Sequence, residues 1–153
     1  MRKVLCTVNA DQVTDELKKA LESALRTNYV KHISPSHKLR IIWCELPVAQ
    51  GFTSYEQPCV SLVVIEAQNN LDQHVREKML SDCAADWARV TEIPLERLMI
   101  SVFDQDQFSA YLTANQQRLS PIGRLRFGLH VASSLVRSKA ARGLLVFSPN
   151  LGG

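Results

Sequence analysis

The sequence predicts an α+β fold: two tandem β-α-β units whose four strands share one sheet with both helices on one face, then a C-terminal helical extension. Three observations predict it. A gap-free internal repeat at an offset of 59 residues lays Leu5-Cys6 on Val64-Ile65, Pro35 on Pro94, Leu39 on Leu98, Ile41 on Ile100 and Trp43 on Val102. Each copy reads as a short apolar strand, an amphipathic helix, a proline-marked turn and a second apolar strand. Charge then separates the end of the chain from the rest. Residues 1–106 hold 12 Lys/Arg against 15 Asp/Glu, whereas residues 107–153 hold six Lys/Arg and no acid.

The elements follow in order. Val4–Val8 is a strand. Residues 13–29 carry Leu17, Leu21, Ala24 and Leu25 on one helical face, with Thr14 as N-cap. Ile33-Ser34-Pro35-Ser36 breaks this helix, Leu39–Glu45 is a strand, and Pro47 ends it. Residues 46–57 are a loop, and the apolar run Val60–Glu66 is a strand buried on both faces. Asn69-Asn70-Leu71-Asp72 makes a turn and cap. Residues 73–90 form the second helix, buried through Val75, Met79, Leu80, Cys83, Trp87 and Val90, and Leu98–Phe103 is the fourth strand. In the tail, Ser120 caps a helix, Pro121 takes its first position and Gly143 follows its end. Leu125, Leu129, Ala132, Leu135 and Val136 give it an apolar stripe, and Leu144–Phe147 is a short added strand. The domain division is 1–112 for the tandem units and 113–153 for the basic extension, packed on the same domain or on a neighbouring subunit. Two helices on one face leave the other sheet face apolar and uncovered, which calls for another subunit or the tail.

Composition excludes several classes. No apolar run approaches the roughly 20 residues of a membrane-spanning helix. Met1-Arg2-Lys3-Val4 enters a strand and soon meets Asp11, Asp15 and Glu16, the pattern of neither signal nor transit peptide. Cys6, Cys44, Cys59 and Cys83 make no C-x-x-C and no cluster with histidine, as expected of buried reduced thiols in a cytoplasmic protein without metal or cofactor. Six tail cations without interleaved aromatics do not point to nucleic acid. Asp104 and Asp106, after the fourth strand, read as a helix-capping pair.

Val13–Leu25 followed by Leu39-Arg40-Ile41-Ile42-Trp43-Cys44-Glu45-Leu46-Pro47, with Thr91-Glu92-Ile93-Pro94-Leu95-Glu96-Arg97-Leu98 in the second half, resembles the tautomerase superfamily (the MIF-like fold). The nearest look is to its double-unit members, such as cis-chloroacrylic acid dehalogenase, over roughly residues 2–110. The resemblance implies a homotrimer with sheets facing inward and a catalytic proline at the mature N-terminus. That proline falls at Arg2, a residue that should leave Met1 in place. The arginine that opens the second strand and binds substrate carboxylate falls at Arg40, and the apolar loop phenylalanine falls near Phe52. The dehalogenase histidine falls at Tyr29. The early arginine falls at Gln12, the dehalogenase arginine pair near Gln68 and Leu71, and its late glutamate near Ser109. Arg76 lies one helical turn beyond that lost pair.

By this resemblance the chain is a diverged tautomerase-like protein. It has a small cationic pocket for a carboxylate-bearing molecule, bound through Arg40, Phe52, Arg2 and Tyr29. Tautomerase or dehalogenase activity is weak or absent for want of the proline, and any activity that survives is isomerase-like or hydratase-like. One alternative is a non-catalytic trimeric interaction protein with basic outer helices. Another is an enzyme with a new mechanism built on Lys3, the Met1 amine or Arg40.

Overall fold

A computed structural model describes residues 1–47 and 61–149. Strand β1 (Arg2–Asn9), helix α1 (Asp15–His32) and strand β2 (Leu39–Leu46) form the first unit. Strand β3 (Ser61–Ala67), helix α2 (Gln73–Thr91) and strand β4 (Leu98–Asp104) form the second. Helices α3 (Gln105–Gln117) and α4 (Pro121–Arg142) and the two-residue strand β5 (Val146–Phe147) complete the chain. The sheet order is β4-β3-β1-β2-β5.

The internal repeat becomes a symmetry of the sheet. β1 pairs parallel with β2 and β3 parallel with β4, and both pairs place partners 37 residues apart, Arg2 with Leu39 and Ser61 with Leu98. The two units meet antiparallel, and Leu5 lies directly opposite Val64. Those two residues also coincide in the 59-residue repeat, so a pseudo-two-fold axis passes through that pair. β5 breaks the symmetry, because it adds to the outer edge of β2 while β4 has no strand beyond it among the described residues.

Period-two alternation sorts the strands into two faces. Val4, Cys6 and Val8, with Ile41, Trp43, Val63, Ile65 and Val102, are buried in one core beneath Leu21, Leu25 and Tyr29 of α1 and Met79, Cys83 and Trp87 of α2. Trp43 and Trp87 meet at its centre with ring centroids 5.9 Å apart. The opposite face carries Lys3, Leu5, Arg40, Ile42, Leu62, Met99 and Phe103. Its apolar members Leu5, Ile42, Leu62 and Phe103 stay partly exposed. Tyr111 of α3 stacks edge-on against Phe103 there, and Phe127 of α4 against Phe147.

Local chemistry sets the element ends. Thr14 Oγ1 accepts from the Leu17 amide, and Asp72 accepts from the His74 and Val75 amides. α2 ends at Glu92 with φ 58°, a left-handed turn of the kind that favours glycine. Ser120 accepts from Gly123, Pro121 opens α4, and Gly143 with φ 72° closes it. Asp104 heads a capping box with Gln107. The helix it starts, α3, runs through the 112/113 division. Its apolar residues are too sparse to announce it, and the cap carries the signal. No described helix is long and apolar enough to cross a membrane. Cys6, Cys44 and Cys83 are buried free thiols, and Cys59 lies outside the described residues. Burial pushes the Cys44 thiol up to about 11 and Cys83 to about 12.

Candidate functional site

The residues named from the sequence separate into two places. Arg2, at the proline position, opens β1 and is pulled towards β3. Its guanidinium donates to Glu66 Oε1 at 3.4 Å and to Gln105 of α3. Glu66 also accepts from the Lys3 amide at 2.9 Å, which leaves its carboxylate buried and engaged on both oxygens. Tyr29, near the end of α1, is buried and donates from its hydroxyl to the Glu66 carbonyl at 3.2 Å. Burial holds the phenol up at about 12, with Arg2 pulling the other way, so Tyr29 serves as a hydrogen-bond donor at neutral pH. Arg2, Tyr29, Glu66 and Gln105 therefore form one self-satisfied polar cluster.

Arg40 lies elsewhere. It is exposed on β2, on the face opposite Glu45, so those two side chains cannot pair. Glu45 instead accepts from the buried Lys18 at 2.7 Å and from Arg142. Arg40 has no ion-pair partner among the described residues. It borders a cavity of about 220 Å³ at the outer edge of β2, with Met1, Leu39, Ile41 and Leu145 beside it. The cavity exists because β5 pairs only Trp43 and Cys44 and leaves the earlier part of that edge uncovered. Alternation puts the Ile41 amide on the same edge as that of Trp43, which donates to the Leu145 carbonyl at 2.8 Å. Phe52 lies outside the described residues.

Three residues that the sequence did not single out complete the cavity: Glu22 and Arg26 of α1 and Lys139 of α4. Glu22 accepts from Arg26 and from the Trp43 indole, both at 3.2 Å, and Arg26 also donates to the Leu39 carbonyl at 2.6 Å. Lys139 donates to the Gly143 carbonyl at 2.6 Å. The acid and one arginine thus neutralise each other, and the remaining charge is cationic. No sequence signal joins Lys139 to Arg40, because the cavity they both line lies between a strand and a helix about 100 residues later. It depends on Arg142 at the end of α4, whose guanidinium donates to Asp15 at 2.8 Å and to Glu45 at 2.6 Å and pins that end of the helix to the first unit.

No family model matches the sequence, and no curated protein matches it as a relative. Solved structures do match the fold. A fused 4-OT, wild type, described as an asymmetric trimer, superposes with TM-score 0.60 at 16% identity over 67% of this chain and 85% of its own. N1, a member of the cis-3-chloroacrylic acid dehalogenase family, gives 0.58 at 19% over 67% of this chain and 73% of its own. MIF2 of Leishmania major gives 0.57 at 14% over 68% of this chain and 88% of its own. The tandem β-α-β architecture is therefore a tautomerase/MIF-like fold, and about a third of this chain lies outside the likeness.

Proposed function

We propose that this chain is a diverged tautomerase-superfamily protein that binds a small carboxylate-bearing molecule and has lost most or all of the tautomerase and dehalogenase reaction. The observation that carries the reading is the cavity at the β2 edge, which Arg40, without an ion-pair partner among the described residues, lines together with the apolar Leu39, Ile41 and Leu145. A guanidinium with five fixed donors suits a planar carboxylate, and an apolar wall beside it suits a small organic ligand. The loss of turnover rests on Arg2. The nitrogen at the proline position is here a backbone amide, which donates to the Lys38 carbonyl at 2.9 Å, and the Arg2 side chain is bound to Glu66 and Gln105, so the position supplies no amine to take or deliver a proton.

The same reading makes the protein a homotrimer. The partly exposed apolar face of the sheet would turn inward against its copies, as the trimeric fused 4-OT structures suggest by analogy. A cytoplasmic setting suits its buried free thiols. Calorimetry with butyrate tests the ligand. Arg40→Ala should weaken binding ten- to hundredfold, the loss of a charge-assisted contact worth about 1.5–3 kcal/mol. Equal affinity in the variant, or no binding by either protein, would sink the reading. Phenylenolpyruvate should ketonise at close to its spontaneous rate, and turnover comparable with that of a proline-bearing tautomerase would overturn the catalytic part. Light scattering should return a trimer.

A further inference from the structure

Helix α4 turns its most apolar face away from the protein. Ile122, Leu125, Leu129 and Val136, at 68%, 65%, 63% and 71% exposed, fall with Ala132 along one side of the helix. The opposite side holds α4 to the rest of the fold. Phe127 meets Phe147 edge-on, His130 Nε2 donates to the Ser148 carbonyl at 2.9 Å, and Ser138 Oγ accepts from the Val146 amide at 2.8 Å. Arg142, on that same side, is bonded to Asp15 and Glu45. The apolar stripe is therefore not the face that packs. Exposed cations border it, Arg126 and Arg137 along one edge and Lys139 along the other. None of the three forms an ion pair among the described residues, and residues 107–153 contain no acid to answer them.

We propose that α4 is a docking face for an anionic lipid surface. The helix lies in the plane of the membrane, with Ile122, Leu125, Leu129 and Val136 entering the headgroup boundary and Arg126, Arg137 and Lys139 meeting the acidic headgroups. Charge complementarity selects this occupant. A second copy of α4 would bring like-charged borders together. A nucleic acid would set its phosphates over a stripe that cannot bond to them, with no aromatic side chain there for a base to stack on. An anionic membrane answers both features at once, because it offers negative charge at its surface and apolar depth beneath. The stripe is the outer side of a single helix, and a fluid surface meets it without a matching groove. Residues 1–106 hold 12 Lys/Arg against 15 Asp/Glu, so the same surface repels the rest of the chain and orients the protein with α4 towards it. The inference stands apart from the Arg40 cavity, and neither needs the other.

Co-sedimentation with vesicles tests it. The full-length protein should pellet with vesicles of phosphatidylcholine and phosphatidylserine and stay in solution with phosphatidylcholine alone. Leu125→Gln with Leu129→Gln keeps every charge and removes the centre of the stripe, and should weaken binding about tenfold or more. Arg126→Gln with Arg137→Gln should weaken it about thirtyfold, the effect of two charges near such a surface, and added salt should weaken it too. All four positions are exposed, so circular dichroism should show the helix content unchanged in both variants. No pelleting with the anionic vesicles would overturn the proposal, and so would pelleting that survives the loss of Leu125 and Leu129. A fall in light-scattering mass on that same change would give the stripe to a second copy of the chain. Capture by polyglutamate but not by vesicles would give it to an acidic protein, and either result overturns the lipid surface.

Discussion

The two β-α-β units have the same backbone register and tie their helices to their sheets in the same way, yet they bury those ties differently. In the first unit Lys18, near the start of α1, reaches Glu45 at the end of β2 at 2.7 Å. In the second, Arg76 of α2 reaches Asp104 at the end of β4 at 2.8 Å. The 59-residue repeat places Asp104 on Glu45 and Arg76 on Leu17, so the cation has moved by one residue while the acid has stayed in register. Lys18 is 1% exposed and Arg76 17%. The cause is the tail. Arg142 joins Lys18 on Glu45 and Asp15 and seals the first latch under α4, while the second lies next to α3 at the open end of the sheet. A repeated backbone thus yields one dry and one wet copy of the same device. The sequence itself adds a second asymmetry: Arg40 coincides with Met99 in the repeat, so the cationic position has an apolar, exposed counterpart in the second unit.

The largest expected effect tests the shared core. Trp43 stands where the repeat puts Val102, and it fills the space between the units against Trp87. Trp43→Ala should cost about 3–5 kcal/mol of stability in urea unfolding. A loss below about 1 kcal/mol would mean that the two units do not share one core.

A somewhat smaller effect separates the latches. Glu45→Ala leaves Lys18 buried with only the Val13 carbonyl, at 2.5 Å, and the longer contact to Asp15. It should cost about 3 kcal/mol, the low end for breaking a buried pair, because those partners remain. Asp104→Ala, in the wetter latch, should cost clearly less even though it also removes the cap of α3. Equal losses would break the comparison.

The smallest effect is read in acid. The Arg142 hydrogen bond lowers the Asp15 carboxyl. Burial raises Glu45, but bonds from Arg142 and Lys18 outweigh it, and the Arg76 bond lowers Asp104. Each therefore titrates lower folded than unfolded. The stability they contribute is fully present above the unfolded carboxylate range of about pH 4–4.5 and is lost as pH falls through the lowered folded values. The melting temperature should hold steady above about pH 5 and drop in stronger acid. Arg142→Ala, which takes a partner from two carboxylates while Lys18 stays beside them, should flatten that drop more than Arg76→Ala, which takes one from a single carboxylate. Identical acid profiles for the two variants would show that the tail adds nothing to the first latch.

Much of the architecture was legible in the chain because its signals are local or periodic. The 59-residue repeat, the apolar periods, the Thr14, Asp72 and Ser120 caps and the Gly143 stop all act within a few residues of themselves. Side-chain alternation and capping chemistry need no knowledge of the rest of the fold. Even the pairing of Leu5 with Val64 follows once the repeat is taken as a symmetry. The caps also announced α3, but its sparse apolar residues concealed its length. The fifth strand was readable from the run Leu144–Phe147.

What only the tertiary structure decided is which distant charges meet. From sequence, Arg2, Arg40 and Tyr29 were gathered into one pocket. In the fold the side chains of Arg2 and Tyr29 are bonded to Glu66, while Arg40, on the neighbouring strand in register with Lys3, lines an edge cavity with Lys139. Antiparallel pairing brings the end of β3 beside the start of β1, and so sets Glu66 next to Arg2. The return of α4 along the β2 edge decides where Lys139 and Arg142 fall, and nothing in the local sequence around either residue encodes that path. Charges act through space over a few ångströms, whereas pattern is read along the chain. The repeat therefore told how each unit is built, and the folded chain alone determined which of its cations are spent on internal acids and which are not.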